Sequence, residues 1–156
     1  LRIQAGARYV SDYASARERR VPRMTIALTH GIFDLLHAGH MEHLRQCAAV
    51  ADRVIVSVVA DRFVSKKFII QDERTRMFQV SRTKGVDEVV LCEAPGPEEL
   101  LRSIKPDIYI RKDEYAAMAQ PEYEVARTLG IKCLFTKTVP PHAAEIVRRI
   151  WDLKDG

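Results

Sequence analysis

The sequence predicts a single α/β domain built on a doubly wound, five-stranded parallel sheet. Short runs of apolar and β-branched residues alternate along the chain with longer stretches whose apolar residues recur at helical spacing. This alternation is typical of βαβ units, whose right-handed crossovers cover both faces of a parallel sheet. A chain of 156 residues has room for one such domain and is too short for two.

The first 23 residues are predicted to lie outside this domain, as a leader helix and linker, and the domain is predicted over residues 24–156. Residues 7–20 are helix-permissive, with apolar side chains near one face, and Pro22 follows them. We expect the leader to be a solvated cap or an oligomer contact.

Five apolar runs are predicted to be strands, and the stretches between and after them helices. The run that begins at Val54, Val-Ile-Val-Ser-Val-Val-Ala, is almost entirely β-branched, as expected for a strand buried on both faces. Gly85 and Gly130 follow helical patterns, in the position that favours glycine after a last helical turn. The strands are expected at Met24–Leu28, Val54–Ala60, Glu88–Cys92, Ile108–Ile110 and Lys132–Phe135. The helices are expected at residues 40–51, 72–85, 98–104, 122–129 and 143–153, the last of them amphipathic.

The composition, with 47% apolar and 29% charged residues, is that of a globular protein. No apolar run reaches the roughly eighteen residues of a membrane span, and charged residues occur where a signal peptide needs an apolar centre. We therefore expect a soluble, cytoplasmic protein. The net charge of +4 is scattered rather than gathered into the basic stripe of a nucleic-acid binder. Cys47, Cys92 and Cys133 stand singly in apolar contexts, which predicts core residues rather than a disulfide or a zinc site.

The stretch from His30 to Leu44 stands between the first strand and the first helix and carries two glycines and several histidines. A strand that leads directly into a helix N-terminus presents unpaired N–H groups and the positive end of the helix dipole, which suits a phosphate. The stretch matches neither a P-loop nor a Gly-x-Gly-x-x-Gly fingerprint. In doubly wound sheets ligands bind beyond the carboxyl ends of the strands, and the first strand delivers this stretch there.

Four residues of the stretch suit an anion site. Gly31 lets the chain turn sharply off the strand, and Gly39 removes a side chain where a phosphate would meet the helix end. His37 and His40 can hydrogen-bond that phosphate or, if protonated, neutralise part of its charge.

Other polar side chains near these segments are expected to have structural roles. His43 lies one turn past His40, where a helix-surface position is expected rather than a metal site. His30 precedes the turn, and the sequence leaves its role open. For Asp113 and Glu114 a polar loop is expected rather than a metal or substrate site.

The string from Gly31 to His40, Gly-Ile-Phe-Asp-Leu-Leu-His-Ala-Gly-His, resembles the His-x-Gly-His signature of the cytidylyltransferase-like nucleotidyltransferases, which have a Rossmann-like fold. Within that family it is most similar to heptose-1-phosphate adenylyltransferases and to the cytidylyltransferases that act on glycerol 3-phosphate, choline phosphate or ethanolamine phosphate. The similarity covers roughly residues 24–150. Beyond the string it includes Asp61, residues 86–90 (Val-Asp-Glu-Val-Val) and residues 111–115 (Arg-Lys-Asp-Glu-Tyr).

The resemblance implies transfer of a nucleotidyl group. A phosphate oxygen of a sugar or polyol phosphate attacks the α-phosphorus of an NTP in line, and pyrophosphate leaves, with Mg²⁺ as the implied cofactor. Such catalysis needs positioning and charge stabilisation more than covalent chemistry by the protein. The resemblance also implies a homodimer without nucleic-acid or membrane partners.

The resemblance also implies roles for individual residues, none of them a metal ligand. His37 and His40 match the phosphate-contacting pair of the family and are expected, together with Lys67, to be catalytic. The nucleotide-binding residues are expected to be Gly31, Ile32, Phe33, Asp34, Gly39, Arg111, Lys137 and Thr138, with Asp34 also ordering the turn. The substrate-binding residues are expected to be Asp61, Lys66 and Arg76.

The chain departs from the family pattern in two places. The segment between Asp61 and Arg74 is several residues shorter than the family loop, which carries acceptor-binding basic and glycine residues. Where the family has an Arg-Thr-x-Gly-x-Ser-Thr-Thr-like segment, residues 137–144 read Lys-Thr-Val-Pro-Pro-His-Ala-Ala. The loss of the hydroxyl pair and of the glycine predicts weaker triphosphate binding, or binding rebuilt around His142.

Three functions follow from the sequence. The leading one is a nucleotidyltransferase that uses ATP or CTP to activate a sugar or polyol phosphate, most like a heptose-1-phosphate adenylyltransferase, with cytidylyl transfer to glycerol, choline or ethanolamine phosphate as the close competitor. The second is a nucleotide-binding module that has lost turnover. The third, a nucleic-acid binder that uses residues 17–23, predicts steeply salt-dependent binding and is the least favoured.

Overall fold

The computed structural model describes residues 9–11, 24–65, 69–118, 120–140 and 143–154. Within them five parallel strands form one sheet in the order β3-β2-β1-β4-β5, with helices in the connections. The order reverses between β1 and β4, as in doubly wound folds, so the predicted fold class is confirmed. The strands are β1 (Ile26–Gly31), β2 (Arg53–Val59), β3 (Glu88–Cys92), β4 (Ile108–Lys112) and β5 (Lys132–Thr136). The helices are α1 (Ala38–Val50), α2 (Glu73–Ser81), α3 (Glu98–Ile104), α4 (Pro121–Thr128) and α5 (Ala143–Lys154).

Three strands extend past their apolar runs. β1 begins at Ile26 and, paired with β2, continues to Gly31, so the predicted bounds Met24–Leu28 are wrong at both ends. In the same way β4 and β5 pair with each other as far as Lys112 and Thr136. β1, β4 and β5 therefore carry polar residues at their carboxyl ends, where the apolar patterns stop.

Two helices differ from their predicted bounds by more than one residue, for local reasons. α1 begins earlier than predicted, at Ala38, because the side chain of His37 caps it. α2 ends at Ser81, and a turn follows as far as Gly85, whose φ of +92° favours glycine. A Cβ at Gly85 would lie 3.0 Å from the Cβ of Ala48, so this turn packs directly on α1.

The predicted leader helix lies mostly outside the described residues. Of the leader, Tyr9, Val10 and Ser11 are described, and Tyr9 forms a parallel bridge with Phe135 of β5. Val10 is buried in the hydrophobic core, which a purely solvated cap does not predict. The division of the chain after residue 23 stays a prediction.

The hydrophobic core occupies both faces of the sheet. On one face Leu44 of α1 packs with Val54 of β2 and Val80 of α2. On the other face Leu28 of β1 packs with Leu101 of α3. The three free cysteines, expected in the core, are buried (Cys47 and Cys92) or half-buried (Cys133).

α5 covers less of the core than its amphipathic pattern predicts. None of its residues is buried, and Ile150 and Trp151 are 60% and 62% exposed. Phe78 on α2 is also 61% exposed. Within the described ranges no helix is long and apolar enough to cross a membrane.

Three aspartates close the amino edge of the sheet, each paired with the start of a neighbouring strand. In each pair the carboxylate accepts a backbone N–H, and the aspartate's own N–H donates back to the carbonyl of the same residue. These reciprocal pairs fix the strand register at the amino edge, and the site develops at the opposite, carboxyl edge. The pairs are Asp52 with Thr25, Asp87 with Val54 and Asp107 with Ile26.

Candidate active site

The polar carboxyl ends of β1 and β4 border a cavity of about 50 Å³. It lies where the strand order reverses, which is where a doubly wound sheet binds its ligand. Three histidines, an arginine and a lysine line it, so the cavity is rich in hydrogen-bond donors. The lining residues are His30, Gly31, Phe33, His40, His43, Arg111, Lys112 and Tyr115.

His37 and His40 cap α1 through each other. His37 is the N-cap residue, and its Nδ1 accepts the N–H of Gly39 at 3.0 Å, while Nδ1 of His40 accepts the N–H of His37 at 3.3 Å. The rings stack with their centroids 3.8 Å apart, and the two residues are only 7% and 8% exposed. A reciprocal capping box of this kind is usually built from Ser or Thr with Glu or Gln. Here two imidazoles do the same task, and we call this arrangement the histidine box.

The histidine box fixes where each ring carries its proton. A nitrogen that accepts a hydrogen bond holds no proton, so each imidazole carries its proton on Nε2. Protonation of Nδ1 would break the cap, so the cap favours rings that are neutral and carry their proton on Nε2. A ring held in this way can donate a hydrogen bond to a ligand without carrying a charge.

The turn between β1 and α1 is held in a strained shape. Phe33 and Leu35 have φ angles of +57° and +48°, a left-handed conformation that costs a non-glycine residue about 1–2 kcal/mol. The buried ring of Phe33 lies 5.4 Å from the ring of His40. Asp34 accepts the N–H of Leu35 and the N–H groups of residues 70–71 at 2.8–3.1 Å. Its carboxylate thus ties the turn to the segment that leads into α2.

Arg76 joins three segments beside that turn. Its side chain is fully buried, and its guanidinium donates to the carbonyls of Ile32 at 2.7 Å and Gln71 at 3.0 Å and to the carboxylate of Asp61 at 2.6 Å. The planar guanidinium suits a triple contact that a lysine cannot make. Because its side chain is fully buried, Arg76 can influence a substrate only indirectly, through its ion pair with Asp61. The side chain of Asp61 is 36% exposed beyond the end of β2.

Arg111 borders the cavity from β4 and is held by a buried acid. Its Nη1 donates to Glu122 of α4 at 3.0 Å and to the hydroxyl of Tyr109 at 3.3 Å. Its guanidinium carbon lies 4.1 Å from the ring centre of Tyr115. Glu122 is 3% exposed, so this ion pair is largely desolvated. Arg111 therefore presents oriented N–H donors to a ligand, while Glu122 already balances the positive charge of its guanidinium.

His43 is buried between two hydroxyls and not on the helix surface, so that expectation is wrong. Its ring nitrogens Nε2 and Nδ1 lie 2.7 Å from Thr29 Oγ1 and 2.6 Å from Thr136 Oγ1. The Thr29 hydroxyl donates to the carbonyl of Ile110, so it accepts from Nε2, and Nδ1 accepts from the Thr136 hydroxyl. The inward face of α1 is thereby linked to β1, β4 and β5.

Burial keeps two of the cavity histidines neutral. Burial, assisted by the charges of Lys112 and Arg111, lowers the pKa of His43 from 6.5 to about 3. Burial, assisted by Arg111, also lowers the pKa of His30 to about 3, and Nδ1 of His30 lies 2.9 Å from the hydroxyl of Ser57. At neutral pH neither ring adds charge to the cavity.

The chain itself occupies the space in front of Gly39. A Cβ at Gly39 would lie 2.5 Å from the carbonyl oxygen of Val139, so only glycine fits there. Residues 137–140 thus cross the first turn of α1, where the sequence predicts room for a phosphate. Lys137 and Thr138, both predicted at the site, belong to this crossing segment.

The structure brings the predicted residues of β1, α1, β4 and residues 137–140 to one edge of the sheet. Lys66 and Lys67, predicted to contact phosphates, lie outside the described residues, as does His142. Glu122 is not among the predicted site residues, because an acid in the first turn of a helix is ordinarily a surface residue. The sequence does contain a signal for the buried position of His43, because its spacing of three residues from His40 keeps both side chains on one face of the helix.

The described part of the chain does not fit a protein-built Mg²⁺ centre. Its His, Cys, Asp and Glu side chains form no group of three or more that could hold a metal ion. The carboxylates near the cavity already accept hydrogen bonds from the protein, as Asp34, Asp61 and Asp113 show.

Replacement of Arg76 by methionine should destabilise the protein by about 3 kcal/mol, because it leaves the Asp61 carboxylate and two carbonyls without their donor. The matched control is Arg74→Met on the same helix, where the side chain is exposed and the expected change is within about 0.5 kcal/mol. Urea unfolding at pH 7 measures both changes. Equal losses in the two variants would contradict the role assigned to Arg76.

Replacement of His43 by glutamine should make stability less dependent on pH. The folded-state pKa of His43, about 3, lies below the usual 6.5, so the unfolded chain binds more protons between these values and the free energy of unfolding falls as the pH is lowered through this window. Between pH 6.5 and 5 the loss due to His43 is about 2 kcal/mol. Denaturant unfolding at both pH values measures it, and His30 titrates alike in both proteins. An unchanged pH dependence in the variant would show that His43 is not held neutral.

Residues 28–149 match the family model described as cytidylyltransferase-like. Among curated proteins, the bifunctional protein HldE of Gluconobacter oxydans is 31% identical over 118 residues, which are 73% of this chain and 25% of that protein. The bifunctional protein HldE of Pseudomonas entomophila is 36% identical over 102 residues, which are 63% of this chain and 22% of that protein. The chain thus spans about a quarter of the length of these relatives.

Two solved structures extend the comparison. The lipopolysaccharide core biosynthesis protein from Thermoplasma volcanium is 27% identical with a TM-score of 0.61, over 77% of this chain and 100% of that one. Pantothenate synthetase from Thermus thermophilus is 16% identical with a TM-score of 0.53, over 86% of this chain and 62% of that one, and shows the fold alone. The family match over most of the chain agrees with the sheet order and the histidine box, and the chain belongs to the cytidylyltransferase-like nucleotidyltransferases.

Proposed function

We propose that this chain transfers a nucleotidyl group from ATP or CTP to the phosphate of a sugar or polyol and releases pyrophosphate, most like a heptose-1-phosphate adenylyltransferase. The observation that carries the proposal is the histidine box at the switch point. Its two imidazoles are held in place before a ligand binds, so their Nε2–H groups form a preorganised pair of donors for an anion. The similarity to the bifunctional HldE proteins and to a lipopolysaccharide core biosynthesis protein supports a sugar phosphate as the acceptor.

In the proposed reaction the acceptor phosphate attacks the α-phosphorus in line with the departing pyrophosphate. A phosphate monoester is already largely ionised at neutral pH, so the protein needs no base to activate it. Negative charge builds up on the α-phosphate oxygens, and His37 and His40 donate Nε2–H bonds to them. Because both rings are fixed before the substrate arrives, the donors need no reorganisation during the reaction.

The remaining phosphate contacts are assigned to residues around the histidine box. Arg111 supplies oriented donors from β4, and Lys137 and Thr138 stand at the end of β5. Lys66 and the catalytic Lys67 are proposed to contact the acceptor phosphate and the triphosphate. Mg²⁺ is proposed to arrive as part of the Mg–NTP complex, and no step is assigned to it.

Backbone groups and one carboxylate complete the proposed site. Gly31, Ile32 and Phe33 present the backbone of the β1 exit to the nucleotide, and Asp34 keeps that turn in place. Asp61 is proposed to contact the hydroxyls of the acceptor, because its carboxylate is partly exposed beyond β2. The substrate-binding role of Arg76 is then indirect, through its ion pair with Asp61.

A second function is a nucleotide-binding module without turnover. α5 begins with Ala143 and Ala144, where the resembling family places hydroxyl side chains against the phosphates. The competing acceptors glycerol, choline and ethanolamine phosphate also remain within the proposal, with CTP as the donor. A homodimer is proposed as well, since Phe78 and Trp151 leave apolar surface exposed.

The proposed reaction is tested by pyrophosphate release from ATP and CTP with heptose 1-phosphate and with glycerol, choline and ethanolamine phosphates. His37→Asn should lower kcat/KM by about 10²–10³, the effect of removing one preorganised donor. The variant should still fold, because asparagine is a good N-cap and its side-chain oxygen can accept the N–H of Gly39.

The matched control is Asp72→Asn, the same kind of change at the N-cap of α2, away from the histidines. It should leave kcat/KM within about twofold, since its effect is confined to a helix cap. Near-normal turnover in His37→Asn would contradict the proposed role of the box. Nucleotide binding without pyrophosphate release from any substrate pair would favour the module without turnover.

A further inference from the structure

Residues 137–140, which follow β5 and which we call the strap, are tied to elements on two sides of the site. A segment that merely connects β5 to α5 could leave its backbone groups to water, as surface connections commonly do. Instead, side chains from α1 and from the turn after β4 bind consecutive residues of the strap. The placement of the strap is therefore specified by residues far from it in sequence.

On the α1 side, the amide of Gln46 holds the backbone of Lys137 in both directions. Its Oε1 accepts the N–H of Lys137 at 3.1 Å, and its Nε2 donates to the carbonyl of Lys137 at 3.2 Å. The paired donor and acceptor imitate the pairing that a neighbouring strand would offer. This contact continues the ordered backbone of β5 by one residue and leaves the side chain of Lys137 exposed.

On the β4 side, the carboxylate of Asp113 holds Thr138. Its Oδ1 accepts the N–H of Thr138 at 3.1 Å and also the hydroxyl of Thr138. A single acceptor oxygen thus holds both the backbone and the side chain of Thr138. Asp113 directly follows Arg111 and Lys112, which line the cavity, so the strap is tied to the strand that carries these cations.

Between these two ties, the strap lies against the histidine box. The carbonyl oxygen of Val139 lies 2.5 Å from the position of a Cβ on Gly39, and two atoms of the His37 ring lie 2.9 and 3.0 Å from that same position. The strap and the capping imidazole thus share the space that glycine leaves. Displacement of the strap would open this side of the box.

We propose that Asp113 and Gln46 are positioning residues that hold the strap against the histidine box, so that the exposed side chain of Lys137 stands ready for the triphosphate. The inference rests on the proposed function and extends it to two residues that do not touch the substrate.

The test compares Asp113→Ala with Asp113→Asn, which keeps an oxygen acceptor for Thr138, and Gln46→Met with Glu42→Gln. Glu42 lies one helical turn before Gln46, and its Oε1 accepts a hydrogen bond from Nε2 of Gln46. Glu42→Gln keeps an oxygen acceptor there and does not alter Gln46 itself, so it is a control that leaves the strap contacts intact. Three quantities are measured on the full chain: the Kd of Mg–ATP and Mg–CTP, kcat and KM for pyrophosphate release, and amide hydrogen exchange of residues 137–139 without nucleotide.

Asp113→Ala and Gln46→Met should each speed exchange in the strap and raise the nucleotide Kd and KM by about tenfold, with a smaller change in kcat, as expected for the loss of a bond worth roughly one factor of ten. Asp113→Asn and Glu42→Gln should stay within about twofold of the wild type, since both keep the strap contacts. If Asp113→Ala fails to fold, Gln46→Met alone carries the comparison.

Faster exchange in the strap with an unchanged nucleotide Kd would make Asp113 and Gln46 merely structural and would overturn the inference. Equal effects in Gln46→Met and Glu42→Gln would overturn it as well. A wild-type chain that binds neither Mg–ATP nor Mg–CTP would instead overturn the proposed function and this inference together. The two failures are therefore distinguished by the wild-type Kd.

Discussion

The structure of this site and its proposed chemistry both depend on two imidazoles that cap the same helix. The first N–H groups of a helix need acceptors, and at α1 the Nδ1 atoms of His37 and His40 provide them. The same bonds decide the tautomer, because a ring that accepts at Nδ1 keeps its proton at Nε2. Stability of the helix end and the ability to donate to a phosphate therefore depend on one set of contacts.

The surroundings of the histidine box supply the rigidity that this arrangement requires. Left-handed backbone at Phe33 and Leu35 persists only where neighbouring contacts determine it, and Asp34 and Arg76 provide such contacts from the side of α2. His43 secures the inner face of α1 through two buried hydroxyls. The side chains of Arg76 and His43 are buried, so loosening either support leaves unpaired groups that disfavour the displaced state.

Local patterns in the sequence predict the elements and the central motif, whereas contacts between distant segments escape them. Alternating apolar runs predict the parallel sheet, and the spacing of His37 and His40 around Gly39 predicts where the candidate site lies. Glu122 is invisible in the sequence because its importance comes from Arg111, which only the fold brings within 3.0 Å. Gly39 is predicted as an essential glycine for a reason that the structure revises, since the carbonyl of Val139 occupies the expected space.

The central claim, that both capping imidazoles are neutral donors through Nε2, is tested most directly by ¹⁵N NMR of the histidine side chains. The account predicts unprotonated Nδ1 and protonated Nε2 for His37 and His40 at pH 7, and a change in both Nε2–H signals when Mg–ATP or Mg–CTP binds. A proton on Nδ1 of either ring, or doubly protonated rings at pH 7, would contradict it.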